Sequence, residues 1–366
     1  MLYLVTCALN DKQPNLKELG EIDKSEIYKV AKFHSLTVIT AVALEKLGET
    51  LDNEWISEKE KAIRRSILSE VEYKRIVDFM EKNEIWYMPL KGKILQELYP
   101  QKWMRQMADI DILFDVEYQK QVCFYMKSIG YEVKSFGIGN HDIYMKSPIY
   151  NYEMHTSLYD DNHEKCFLEY YRDVKKKLHK VDENKFEYWF SWEDFYVYLI
   201  SHMYKHYSAS GIGVRSLVDC YVFLKKYETM LNWEYIKQEL SKLNMVDFES
   251  MIRQVSKKVF SGSLDLTVQE KKVLEECLLS GTYGTMKQRI ERQMGKLQGN
   301  RSVYGTKFQY IWKRLFPERK ILEIYCPLLK KYRCLWLYAG GKRLFLNMRL
   351  SGKTILHELC YLWKMN

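Results

Sequence analysis

The sequence predicts an α+β chain: a small mixed β-sheet with its helices, set between an N-terminal helical region and a larger C-terminal one. Two observations predict it. All the strand candidates fall between residues 85 and 158, where apolar and polar side chains alternate, most clearly in Asp109-Ile110-Asp111-Ile112-Leu113. On both sides of that window the apolar residues recur at helical spacing instead.

Composition bounds the rest. The 366 residues are enough for two or three domains. With 47% hydrophobic residues a large core is available, and the mean hydropathy is −0.40. No apolar run reaches the roughly 18 residues that span a bilayer. The start, MLYLVTCALNDKQPN, has a short apolar run but no basic region before it and no clear cleavage site, so it reads as the first strand or helix of a soluble protein. The eight cysteines are scattered without a C-x-x-C pair, which favours reduced core thiols in a cytoplasmic protein over disulfides or a zinc site. The net charge of +9 is unevenly placed. From Arg301 onward there are fourteen Lys or Arg against three acids, a net of +11, so the first 300 residues carry −2. This basic block stands beside Trp312, Phe316, Trp336, Tyr338 and Phe345. It suits a packed helical extension with a solvated basic face, or peripheral contact with an anionic membrane; nucleic acid is not favoured, because no nucleic-acid module accompanies it.

In chain order, residues 1 to about 70 read as helical. Ile27, Val30, Ala31, His34, Val38 and Ala41 share one face of a helix closed by Gly48, and a second helix runs from about Ser57 towards Phe79. Ile85 to Met88 is a strand. Lys91-Gly92-Lys93 then opens a helix carrying Ile94, Leu95 and Leu98, which Tyr99-Pro100 ends. Asp109 to Phe114 is a strand, Val116 to Ile129 a helix stopped by Gly130, and 131–136, 142–147 and 149–158 are strands. Beyond about residue 185 the chain turns helical again: Trp192 to Tyr207, a break at Gly211-Ile212-Gly213, a helix through Arg215 and Phe223, and mostly helix from Leu231 to about Gln298. Gly281 to Gly284 marks a break, and 297–305 reads as a loop.

The chemistry gathers at Pro89 to Phe114. In a strand Asp109 and Asp111 share one face while Ile110 and Ile112 enter the core. Two neighbouring carboxylates repel unless a positive charge lies between them, and hard divalent cations such as Mg²⁺ take oxygen ligands. Gly92 at a helix start lets a phosphate approach backbone N–H groups, with lysine charge alongside. A phosphate cradle followed by a cation-binding acid pair is the equipment of phosphoryl or nucleotidyl transfer. Further on, Glu153 and His155 share a strand face. His155 is a phosphate ligand or proton carrier, or equally a buried imidazole bonded to a carbonyl. His202 and His206, one turn apart, invite zinc, but no Glu follows the first His and zinc is disfavoured. Arg215 and Asp219 are spaced to pair across one helical turn.

The pattern Leu90-Lys91-Gly92, Tyr99-Pro100, Arg105, Asp109-Ile110-Asp111 resembles the uncharacterised nucleotidyltransferase family often found beside bacterial polysaccharide genes, a branch of the polymerase-β-like nucleotidyltransferases. Lys-Gly stands where Gly-Ser is usual there, and sixteen residues separate Gly92 from Asp109, longer than the common spacing. The resemblance implies a nucleotidyltransferase-like core over 71–180, flanked by helical regions at 1–70 and 181–300 and by the basic extension 301–366. It implies Asp109, Asp111 and Glu153 as catalytic and metal-binding acids for Mg²⁺ or Mn²⁺. It implies nucleotide binding at Lys91, Gly92, Arg105 and His155, and at His202, His206 and Arg215 in a second motif. The expected activity moves a nucleoside monophosphate from a nucleoside triphosphate to a hydroxyl of an unidentified acceptor: a sugar, a metabolite, a protein or RNA. The alternatives are a catalytically inactive binding protein of glycan assembly on the same fold, or the toxin of a toxin–antitoxin pair.

Overall fold

A computed structural model describes the chain except at residues 20–22, 162, 184, 264, 283, 299–301, 318, 320–321, 324–325 and 365–366. It divides into two compact units, Met1–Lys205 with Ile212–Thr282, and His206–Gly211 with Tyr283–Asn366.

The first unit opens with helices α1 (Leu2–Leu9), α2 (Leu16–Leu19), α3 (Lys24–Phe33), α4 (Thr37–Lys46) and α5 (Asn53–Lys82). The single helix expected through Ile27 and Ala41 is two. Ser35 takes φ +55 between α3 and α4, a left-handed turn that helical periodicity alone does not reveal. The sheet follows: β1 (Tyr87–Pro89), α6 (Lys91–Leu95), β2 (Ile110–Phe114), α7 (Gln119–Ser128), β3 (Glu132–Ser135), β4 (His141–Lys146) and β5 (Tyr150–His155). Its strand order is β1-β2-β5-β4-β3, with β2 and β5 parallel and every other pair antiparallel. The chain is therefore α+β around a five-stranded mixed sheet.

The alternation expected of β2 and β5 decides what each face carries. Ile110, Ile112 and Phe114 of β2, with Tyr152 and Met154 of β5, join one core with Ile76 and Met80 of α5 and Val122 and Met126 of α7. Burying a side chain such as Ile112 contributes about 1.5–3 kcal/mol. Asp111, Glu153 and His155 alternate with these core residues and face the other way. Gly130 ends α7 at φ +91, the left-handed conformation a glycine adopts without strain.

After β5 come α8 (Lys165–Tyr170) and a two-stranded ribbon, β6 (Leu178–Lys180) and β7 (Tyr188–Phe190). The sequence reading did not anticipate this ribbon: strands of three residues are too short to show a period. Helices α9 (Trp192–Ala209), α10 (Val214–Tyr227), α11 (Trp233–Lys242), α12 (Val246–Ser261) and α13 (Val268–Leu279) follow. The residues of α9 from His206 onward belong to the second unit. Gly213, the N-cap of α10, is required sterically, because a Cβ there would fall 1.5 Å from the carbonyl oxygen of Gly281.

The second unit contains α14 (Met286–Gln298), α15 (Val303–Leu315) and α16 (Trp336–Lys364). Ile290, Met294, Tyr310 and Leu362 form one core cluster of this unit, and Leu322, Cys326, Leu329 and Ala339 another. Glu358 is buried there and accepts two hydrogen bonds from Arg314, both 3.0 Å. Of the basic block, Arg301 and Lys320 lie outside the described residues; so does most of the loop expected at 297–305 that falls between α14 and α15. Among the described residues, no helix is long and apolar enough to cross a membrane.

Candidate active site

Three adjacent strands place acids and imidazoles on one face of the sheet. Parallel register puts Asp111 opposite Glu153 and Leu113 opposite His155, while antiparallel register puts His141 of β4 opposite His155. Asp109 lies one residue before β2, so the expected strand is shorter by that residue. A hydrogen bond from the Leu90 amide to the Asp111 carbonyl, 3.0 Å, ties the start of α6 to β2.

Asp111 is 5% exposed and held by two partners. His155 donates from Nε2 to its Oδ1 at 3.0 Å, and Lys91 Nζ stands 3.4 Å from its Oδ2. Burial works against ionising Asp111, but Lys91 and His155 outweigh it and hold the carboxyl well below the ordinary range. Lys91 also donates to Nε2 of His202 at 2.7 Å. Glu153, opposite Asp111, has its carboxyl pushed up to about 7, first by burial and then by the charges of Asp111 and Asp109. The Asp109 carboxyl is raised as well, by burial and by Asp111. Among the described residues, Asp109 makes no side-chain hydrogen bond or ion pair.

Arg215, second residue of α10, is 8% exposed. Its guanidinium likewise makes no hydrogen bond or ion pair among the described residues, while its charge acts on Asp109 and on Asp219. The pairing across one helical turn is therefore not made. Asp219 is taken instead by Arg105, through Nε to Oδ1 and Nη2 to Oδ2, both 2.8 Å, and by the Tyr99 hydroxyl at 2.7 Å. Arg105, expected at the nucleotide, is thus a buried bidentate partner of a carboxylate on α10.

Gly92 is the second residue of α6, not its cap. A Cβ there would stand 3.3 Å from both Arg105 Nη1 and Met107 Sδ, so its smallness admits that packing. Lys93 pairs with Glu70 and lies over the Tyr73 ring, 4.6 Å from its centre. His206 belongs to the second unit.

The sequence reading missed His141 and Arg65. His141 was legible: a hairpin turning at Pro148 sets residues equally distant from it opposite one another, and His141 and His155 are such a pair. Burial and His155 lower the His141 pKa to about 4, so its imidazole is neutral in neutral solution. Arg65 of α5 donates to the Ala108 carbonyl at 2.6 Å and lines, with Lys61, Trp103, Gln106, Asp109 and Asn151, a cavity of about 270 Å³. No signal local to β2 points to a side chain forty-four positions upstream.

An acid cluster on a mixed sheet, with a lysine and an arginine unpaired among the described residues beside it, is the kind of site that transfers a phosphorus-bearing group. The chain belongs to the family described as uncharacterised nucleotidyltransferase, whose model matches residues 20–261. No curated protein and no solved structure matches it.

Proposed function

We propose that the chain transfers a nucleoside monophosphate from a nucleoside triphosphate to an acceptor hydroxyl, with Asp109, Asp111 and Glu153 as the working acids. The observation that supports this best is Asp109: a half-buried carboxylate with no partner among the described residues, beside a second carboxylate and across one strand from a third. Uncompensated oxygen donors of this kind fit a hard divalent cation, Mg²⁺ or Mn²⁺. Asp109, Asp111 and Glu153 would hold it. Such an ion neutralises phosphate charge and polarises the phosphoryl oxygens.

The chain's own residues supply the rest. Lys91, Arg215 and His202 hold the triphosphate by charge and hydrogen bonds, with Gly92 in the first turn of α6. Glu153 takes the proton of the acceptor hydroxyl, a role suited by a carboxyl that titrates near neutrality. The hydroxyl oxygen bonds to the α-phosphorus as the bond to the β-phosphate oxygen breaks, and pyrophosphate leaves. Arg105 acts through Asp219, fixing α10 and hence Arg215. The cavity beside Asp109, with Arg65 and Lys61 on its wall, gives room for the nucleoside or the acceptor. The reaction is placed in the cytoplasm, and the basic α15 and α16 would allow peripheral membrane contact.

The test is calorimetric titration with each nucleoside triphosphate and Mg²⁺, followed by mass spectrometry of cell extract incubated with labelled nucleotide. Binding by the wild type that Asp109→Asn with Asp111→Asn abolishes is the expected result. No binding by the wild type would leave the inactive binding-protein reading in its place.

A further inference from the structure

We infer that His141, Glu153 and His155 form a binding site for a transition-metal ion, distinct in donor chemistry from the all-oxygen site of Asp109 and Asp111. Ligand atoms from these three residues lie within 4.8 Å of one another. Glu153 Oε2 is 3.5 Å from His141 Nε2 and 3.8 Å from His155 Nε2. Donors bound to one ion at about 2.1 Å stand roughly 3.0–3.5 Å apart, so the two Glu153 contacts are already close to one coordination sphere, and the two imidazole nitrogens, within 4.8 Å of each other, need to approach by up to about 1 Å.

Asn140 supplies an independent argument. It is 4% exposed, and its Nδ2 donates to the carbonyls of Ser157 and Leu158, both 3.1 Å. That fixes the orientation of its amide, so its Oδ1 must accept. The group it accepts from is Nδ1–H of His141, 3.2 Å away. In the neutral form of His141 the lone pair is then on Nε2, and that nitrogen stands opposite a carboxylate oxygen. Two acceptors facing each other at 3.5 Å are repulsive unless a proton or a cation lies between them. An amide carbonyl that sets the imidazole tautomer is also the usual support of a metal-binding histidine. Imidazole nitrogens favour Co²⁺, Cu²⁺ or Zn²⁺ over Mg²⁺, which keeps oxygen ligands and water. For His155 to bind the ion, the Nε2 proton that it donates to Asp111 leaves to solvent and Nδ1 takes one up, so the imidazole stays neutral and its Nε2 lone pair is free.

This inference shares Glu153 with the proposed transfer reaction, so its test reads metal binding alone, without nucleotide. The full chain, stripped of metal with EDTA, is titrated with Co²⁺ while its visible ligand-field absorption is followed. Cu²⁺ bound to the wild type is examined by electron spin-echo envelope modulation for coupling to imidazole nitrogen. One equivalent of Co²⁺ with a nitrogen-ligated band, undisplaced by excess Mg²⁺, is expected. His141→Ala should weaken Co²⁺ binding at least about tenfold, and Asp109→Asn should retain the band. Absence of nitrogen coupling in the wild type would overturn the site without requiring any variant to fold. So would a His141→Ala chain, folded by circular dichroism, that binds Co²⁺ as tightly as the wild type; a shared proton would then fill the gap. Loss of nucleotide binding with an intact Co²⁺ band would instead count against the transfer reaction only.

Discussion

Two charge clusters lie along α10, four residues apart, and they are built on opposite principles. Around Asp219 every charge is answered: Arg105 makes both of its bidentate hydrogen bonds there, and the Tyr99 hydroxyl adds a third. Around Arg215 and Asp109 the charges are buried or half-buried yet make no hydrogen bond or ion pair among the described residues. Desolvating a charge without pairing it is costly, so a fold that keeps such groups is holding them for something else. The closed cluster holds the helix in place; in the proposed reaction the open one presents its charges to the nucleotide.

Substitutions should separate the two. The largest effect is expected from Asp109→Asn with Asp111→Asn: labelled-nucleotide transfer should fall by about 10³-fold or more, roughly 4 kcal/mol of transition-state stabilisation, with the fold retained by circular dichroism. Equal transfer rates would erase the distinction altogether. Next comes Arg105→Ala, which leaves the buried Asp219 without its ion pair, held only by the Tyr99 hydroxyl, and should cost about 3–5 kcal/mol in urea unfolding. Arg215→Met should invert that pattern. Its unfolding free energy should stay within about 1 kcal/mol of wild type, since no pair is broken, while nucleoside triphosphate affinity drops about tenfold or more by calorimetry. Should Arg215→Met unfold the chain instead, the arginine is structural after all.

A smaller, pH-dependent effect is expected at Glu153. Its folded carboxyl titrates near 7, above its ordinary value, so the metal-free fold favours the protonated form. The stability this gives is complete below about 4.5 and is lost as pH rises through 7. His141, lowered to about 4, has the opposite sign in part of that window, so the whole-chain profile mixes the two. The difference between wild type and Glu153→Gln isolates the acid: without metal, the melting-temperature advantage of Glu153→Gln should grow from pH 5 to pH 8. A constant difference would mean that Glu153 is not perturbed. The smallest effect belongs to Lys93→Ala, which breaks a pair with the partly exposed Glu70. About 1 kcal/mol or less in unfolding is expected, with nucleotide titration unchanged.

The acid face was readable in advance because strand geometry is local. Asp111 and Glu153 each alternate with core residues, and the two-residue period fixes which way they point. Their juxtaposition depends on β2 and β5 pairing in parallel across forty-two residues, which the family resemblance suggested and no local pattern could. Arg105 shows the limit more sharply. Four positions before Asp109 it looks like part of the same motif, yet its partner lies on α10, more than a hundred residues away. The ribbon of β6 and β7 and the turn at Ser35 escaped for a different reason. They are set by tertiary contacts and one left-handed residue, where hydrophobic spacing carries no information.

The backbone-to-backbone abutment of Gly213 on Gly281 gives the open cluster a mechanical dependence on a distant piece of chain. The first turn of α10 rests on a carbonyl beyond the end of α13, with no side chain between them to cushion a displacement. Lengthening or shortening the 280–282 segment should therefore be felt at Arg215, two residues from the contact. That hinge-like seat is where insertions would retune the arginine without altering any acid of the sheet.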